Sequence, residues 1–118
     1  MPQIMENQQY QFSKLPGTED VLEVARRINW YKQPDQAIED VVDFLAHLMT
    51  FGRPEDVEII ARHLNREDFR KALELAPPGI LDARSWSYWN LLLGRTPVPP
   101  MPVRNFKLEQ GNLTKPGL

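Results

Sequence analysis

The chain has 118 residues, 42% hydrophobic and 25% charged, which is the length and balance of one globular domain that folds without disulfides or metal. Its 14 Lys and Arg against 16 Asp and Glu leave a net charge of −2, which argues against a chain that binds nucleic acid chiefly through phosphates. Cysteine is absent, so disulfide frameworks, thiolate nucleophiles and Cys-ligated zinc are excluded together.

Residues 1–17, MPQIMENQQYQFSKLPG, are polar and Gln-rich and read as a flexible arm. They lack the basic segment and apolar run of a secretory signal. No stretch reaches the roughly 18 apolar residues of a membrane span. A soluble cytoplasmic protein without membrane contact is expected.

Thr18 is placed to cap a first helix, with Glu19 and Asp20 favourable in its first turn and Val21, Val24, Ala25 and Ile28 on one face. Trp30 and Tyr31 follow, and Pro34 breaks the pattern. A second helix, capped by Gln33 or Asp35, carries Ile38, Val41, Val42, Leu45, Leu48 and Met49 at helical spacing and ends at Gly52. Pro54 opens a third, with Val57, Ile60, Ala61 and Leu64 as its apolar stripe. Asn65 opens a fourth, where Asp68 completes a weaker form of the capping box and Phe69, Ala72, Leu73 and Ala76 face inward. Pro77, Pro78 and Gly79 stop it. Asp82 caps a fifth helix that Gly94 ends. Prolines at 97, 99, 100 and 102 then forbid helix and favour an extended path. The pattern predicts an all-α fold, a compact bundle of about five short helices. The helical domain spans 18–94, between the polar arm and an extended Pro-rich tail over 95–118.

Catalytic and cofactor chemistry find no footing in this pattern. His47 and His63 are the only histidines, and neither belongs to a metal-binding spacing. The pairs Glu19–Asp20, Glu39–Asp40 and Glu55–Asp56 are adjacent, so on a helix they diverge by about 100° and do not converge on one substrate atom. The glycines are scattered singly, with no phosphate loop. The sequence therefore predicts no catalytic residue, no cofactor and no metal.

The segment 54–74 has the outline of a helix-turn-helix, with Arg62, Arg66, Arg70 and Lys71 in or near the junction. Glu67 and Asp68 stand where a recognition helix would start, and carboxylates there repel phosphates. A DNA-binding regulator is therefore the alternative reading, and nucleic acid is not the expected partner.

The fifth helix, RSWSYWNLLLG, is more informative. Trp86, Trp89 and Leu93 share one face, and Tyr88, Leu91 and Leu92 lie on others. A helix apolar nearly all round is central or is covered on a second side. The cover is either the tail folded back through Val98, Met101, Val103 and Phe106, or a partner protein. In the second case the docking surface comprises Tyr88, Leu91, Leu92, Arg95, Val98, Met101, Arg104 and Phe106, residue types suited to interfaces. Pairing of this helix with its own copy in a homodimer is a further alternative.

The stretch from Phe51 to about Arg104 resembles a group of small bacterial and archaeal proteins. The matching positions are Gly52, Asp56, Val57, Arg70, Ala72, Leu73, Asp82, Arg84, Ser85, Tyr88, Trp89, Leu93 and Gly94, followed by a proline-rich end. Such proteins are encoded beside nucleotidyltransferase toxins of the abortive-infection type and are taken to be their antitoxins. Residues 1–50 lie outside the likeness. The resemblance implies a non-catalytic module that masks a toxin, and it assigns no catalytic residue.

Overall fold

A computed structural model of the chain describes residues 10 to 103. Among the described residues, five of the six helices start where a capping side chain or a proline relieves the unpaired N–H groups of a first turn. Helix α1 spans Glu19–Ile28, α2 Pro34–Ala37, α3 Val41–Phe51, α4 Pro54–Ala61, α5 Arg66–Leu75 and α6 Ala83–Leu92. Among the described residues there is no strand, and the helices form a small all-α bundle.

Three starts follow the sequence closely. Pro54 is the first residue of α4. The Asn65–Asp68 capping box is complete, since the Asn65 side chain accepts from the Asp68 N–H at 2.8 Å and the Asp68 carboxylate from the Asn65 N–H at 2.9 Å. Asp82 accepts from the Ser85 N–H at 2.7 Å to open α6. At α1 the outcome differs. Thr18 occupies the capping position, but its hydroxyl donates to Asp20 at 2.6 Å instead of accepting from the helix.

The second predicted helix is broken in two. Residues 38–40 form a turn between α2 and α3, and the Asp40 side chain accepts from the Asp43 N–H to start α3 afresh. Gly52 ends α3 without a left-handed backbone. Its requirement is steric, because a Cβ there would lie 2.6 Å from the Leu48 carbonyl oxygen. Gly94, by contrast, takes φ +80°, the left-handed conformation that ends helices most readily at glycine.

The centre of the bundle is α3, not the aromatic helix. It packs against each of the other five, most extensively α5. Phe44, Leu45 and Leu48 of α3 are fully buried with Val21, Val24, Ile60 and Leu73. Helix α6 lies at the periphery and packs on α3 through Trp86, Trp89 and Leu93.

Residues 10–17, expected as part of a flexible arm, lie against the bundle. Leu15 is buried and Phe12 packs on the core. The Tyr10 hydroxyl donates to Asp68 Oδ1 at 2.8 Å, and the Ser13 N–H reaches the same oxygen. Desolvation, the hydrogen bond to Asp68 and the nearby carboxylate charges push the Tyr10 phenol up to about 12, so it remains a donor at neutral pH. Tyr10→Phe is expected to lower stability by about 1 kcal/mol in urea denaturation. Unchanged stability would detach this segment from the fold.

Candidate functional site

Helix α6 divides its aromatic and leucine side chains between two surroundings. Trp86, Trp89, Asn90 and Leu93 face inward. The Trp89 indole N–H donates to the Met49 carbonyl at 3.0 Å, and its ring stacks on Phe69 at 5.8 Å between centroids. On the other side Tyr88, Leu91 and Leu92 are 57%, 58% and 48% exposed. Three consecutive large apolar positions of one helical stripe therefore face outward.

The described part of the tail, residues 95–103, does not cover that stripe. It runs back along the opposite edge of α6, where the Trp86 indole N–H donates to the Pro99 carbonyl at 2.8 Å. Buried Asn90 directs this path. Its amide donates to the Trp86 carbonyl, and its oxygen accepts from the Arg95 guanidinium at 2.9 Å. The Arg95 guanidinium also sits over the Trp86 ring. Val98 and Met101 are half-buried against the core. Arg95, Val98 and Met101, predicted on one docking surface with Tyr88, Leu91 and Leu92, make these contacts within the fold. Arg104 and Phe106 lie outside the described residues.

Beside the exposed stripe runs a groove that the sequence did not announce. Helices α4 and α6 both pack on α3 and leave space between them. One lobe, about 490 Å³, is lined by Met49, Gly52, Pro54, Val57, Arg84, Ser85, Tyr88, Trp89 and Leu92. The other, about 330 Å³, is lined by Val57, Ala61, Leu64, Asn65, Arg66, Phe69, Trp89, Leu92 and Leu93. Val57, Trp89 and Leu92 belong to both lobes. The lining is mostly apolar with a few polar groups, the usual character of a docking groove.

The four basic residues of the DNA reading do not form one free surface. Arg62 faces Asp20 of α1 at 3.8 Å, and Lys71 pairs with Glu74 at 3.0 Å. Arg70 lies near Glu67 and donates to the Leu93 carbonyl at 2.7 Å. Of these four, Arg66 alone makes no ion pair or hydrogen bond with the described residues. Helix α5 is also covered at its start by Tyr10 and Ser13, which hold Asp68. A recognition helix needs that end open to base edges.

A second exposed aromatic group surrounds Trp30, which is 79% exposed in the turn after α1. Trp30 meets Tyr31 edge to face, and His47 and Phe51 continue the group along α3. His47 Nδ1 lies 2.8 Å from the Asp43 carbonyl, which can only accept, so in the neutral ring Nε2 accepts from the Tyr31 hydroxyl at 3.0 Å. The charged neighbours are spent: Asp43 takes Lys32 and Arg27 takes Asp56. Neither His47 nor His63 stands in a metal-donor cluster, since no group of three or more such side chains exists among the described residues. No helix among them is long and apolar enough to cross a membrane. Comparison of the chain with protein-family models, with curated proteins and with solved structures gave no match.

Proposed function

We propose that this protein is a non-catalytic binding module of the cytoplasm whose protein partner sits on the outer face of α6 and the adjoining α4–α6 groove. The observation that carries this reading is the outward stripe Tyr88, Leu91 and Leu92, left open among the described residues while the tail segment 95–103 is tied to the other edge of the same helix. Exposed apolar residues scattered singly need no explanation, but a contiguous stripe beside an apolar groove is the usual mark of an interface. The likeness of residues 51–104 to proteins encoded beside nucleotidyltransferase toxins supports a toxin of that class as the partner. In that role the module acts sterically, by lying across the toxin's substrate or nucleotide access.

Co-expression with the product of the neighbouring gene tests this reading. The two proteins are expected to elute as one complex, and growth arrest by the toxin is expected to be relieved. The double variant Leu91→Glu, Leu92→Glu is expected to abolish both effects while shifting thermal stability little, because both side chains face solvent. Separate elution together with unrelieved toxicity would overturn the proposal.

A further inference from the structure

The charges around the α4–α6 groove narrow the chemistry of its occupant. Arg84 lines one lobe and Arg66 the other, and no carboxylate lines either. Among the described arginines these two alone have neither an ion pair nor a hydrogen bond. Arg26, Arg27, Arg53, Arg62 and Arg70 each face a carboxylate, and Arg95 is spent on Asn90 and Trp86. The carboxylates nearest in sequence to the two free arginines have other work. Asp82 is held by the N-terminal turn of α6, and Glu67 lies 3.6 Å from Arg70. The chain as a whole is net negative, so this positive character is local to the groove.

We infer that the groove accepts an amphipathic helix with an apolar face and acidic flanks, supplied by a partner protein. This rests on the reading of α6 as a docking face and specifies what docks there. The apolar face of the occupant lies over Val57, Trp89 and Leu92. Its flanking carboxylates meet Arg84 at one end and Arg66 at the other. Helix-in-groove binding of this kind takes its affinity from the buried apolar anchors. The rim charges fix partner choice and orientation. An exposed ion pair contributes about 0.2–1 kcal/mol, so two of them, with repulsion of similar size against a basic occupant, separate an acidic from a basic occupant by on the order of tenfold.

The test uses the full chain and two fluorescein-labelled amphipathic peptides with the same leucine face, one flanked by glutamates and the other by lysines. Fluorescence anisotropy at low salt is expected to show the glutamate peptide binding about tenfold more tightly than the lysine peptide. The variant Arg66→Glu, Arg84→Glu is expected to reverse that order, and Leu92→Glu to weaken both peptides. Circular dichroism is expected to show each variant folded, since all three positions lie at the surface. Equal affinities, a preference for the lysine peptide, an unchanged order in the arginine variant, or no binding of either peptide would overturn the inference. So would light scattering that shows a dimer which Leu92→Glu returns to monomer, because a second copy would then own the face. If the toxin complex forms through Leu91 and Leu92 but the acidic peptide neither binds nor competes, this inference fails alone. If the acidic peptide binds and no toxin complex forms, the toxin reading fails alone.

Discussion

Trp89→Ala is expected to destabilise the fold by about 4 kcal/mol, the largest single-residue loss in this domain. The side chain is buried and does three things at once. Its ring stacks on Phe69 of α5 with planes only 16° apart, and its removal leaves a cavity between α3, α5 and α6. It also faces the α4–α6 groove, whose two lobes it separates from the core. Its indole N–H reaches 40 positions back to the Met49 carbonyl, one of the last four carbonyls of α3 that no helical N–H can satisfy. A typical domain has only about 5–15 kcal/mol of stability in total, so the alanine variant stands near the edge of folding. Trp89→Phe keeps most of the ring and loses only the donor, and is expected to cost about 1–2 kcal/mol. Tyr88→Ala, one position away on the open face, is expected to cost less than about 1 kcal/mol. Urea denaturation of the three variants checks the order. Similar losses at 88 and 89 would mean that α6 does not present the face described.

What could be read from the sequence is what depends on neighbours a few residues apart. The Asn65–Asp68 capping box, Pro54, Asp82 and the left-handed Gly94 are local devices, and each stands where its residue type predicts. The apolar stripe of α5 is likewise buried throughout, at Phe69, Ala72, Leu73 and Ala76. The break at residues 38–40 escaped because Ile38, Val41 and Val42 keep a helical spacing across it. Periodicity does not register the Asp40 cap that restarts the chain. The packed segment 10–17 escaped because Tyr10, Phe12 and Leu15 are isolated apolar residues in polar surroundings, and the Asp68 that Tyr10 reaches is 58 positions away.

The same distinction holds at the candidate site. A helical wheel places Tyr88, Leu91 and Leu92 away from Trp86 and Trp89, and they are exposed. The route of the tail depends on tertiary partners instead. The Trp86 indole and buried Asn90 recruit the Pro99 carbonyl and Arg95, so the described part of the tail follows the inner edge of α6. The second wall of the groove, Pro54 and Val57, becomes visible only once α4 and α6 are known to flank α3. Helix α6 was legible as apolar all round, but its composition does not say which helix occupies the centre. That place falls to α3, whose polar residues Asp43, His47 and Thr50 find partners at the surface or along the backbone.

Asp56→Ala is expected to cost about 3 kcal/mol, and the loss is expected to depend on pH. The Asp56 side chain is almost wholly buried at the start of α4. Its Oδ2 accepts from the Arg53 N–H at 3.0 Å, and its Oδ1 accepts from the Arg27 guanidinium of α1. The carboxylate therefore closes the first turn of α4 and ties that turn to a second helix. A helix-start cap contributes about 1 kcal/mol and a hydrogen bond to a charged group about 1.5–3 kcal/mol, which together give the expected size. Burial by itself would push the Asp56 carboxyl up. The Arg53 N–H and the hydrogen bond and charge of Arg27 outweigh burial and hold it below the ordinary 3.8. A carboxyl whose folded value is depressed binds fewer protons folded than unfolded. Its contribution is therefore complete well above 3.8 and is lost as pH falls through 3.8 toward the lower folded value. Urea denaturation of wild type and Asp56→Asn at neutral pH and near pH 3 reads this directly. The gap between them is expected to be widest at neutral pH and to narrow in acid, as the wild-type carboxyl takes up its proton and comes to resemble the amide. Parallel curves across that range would show that the charge of Asp56 does not hold α1 and α4 together.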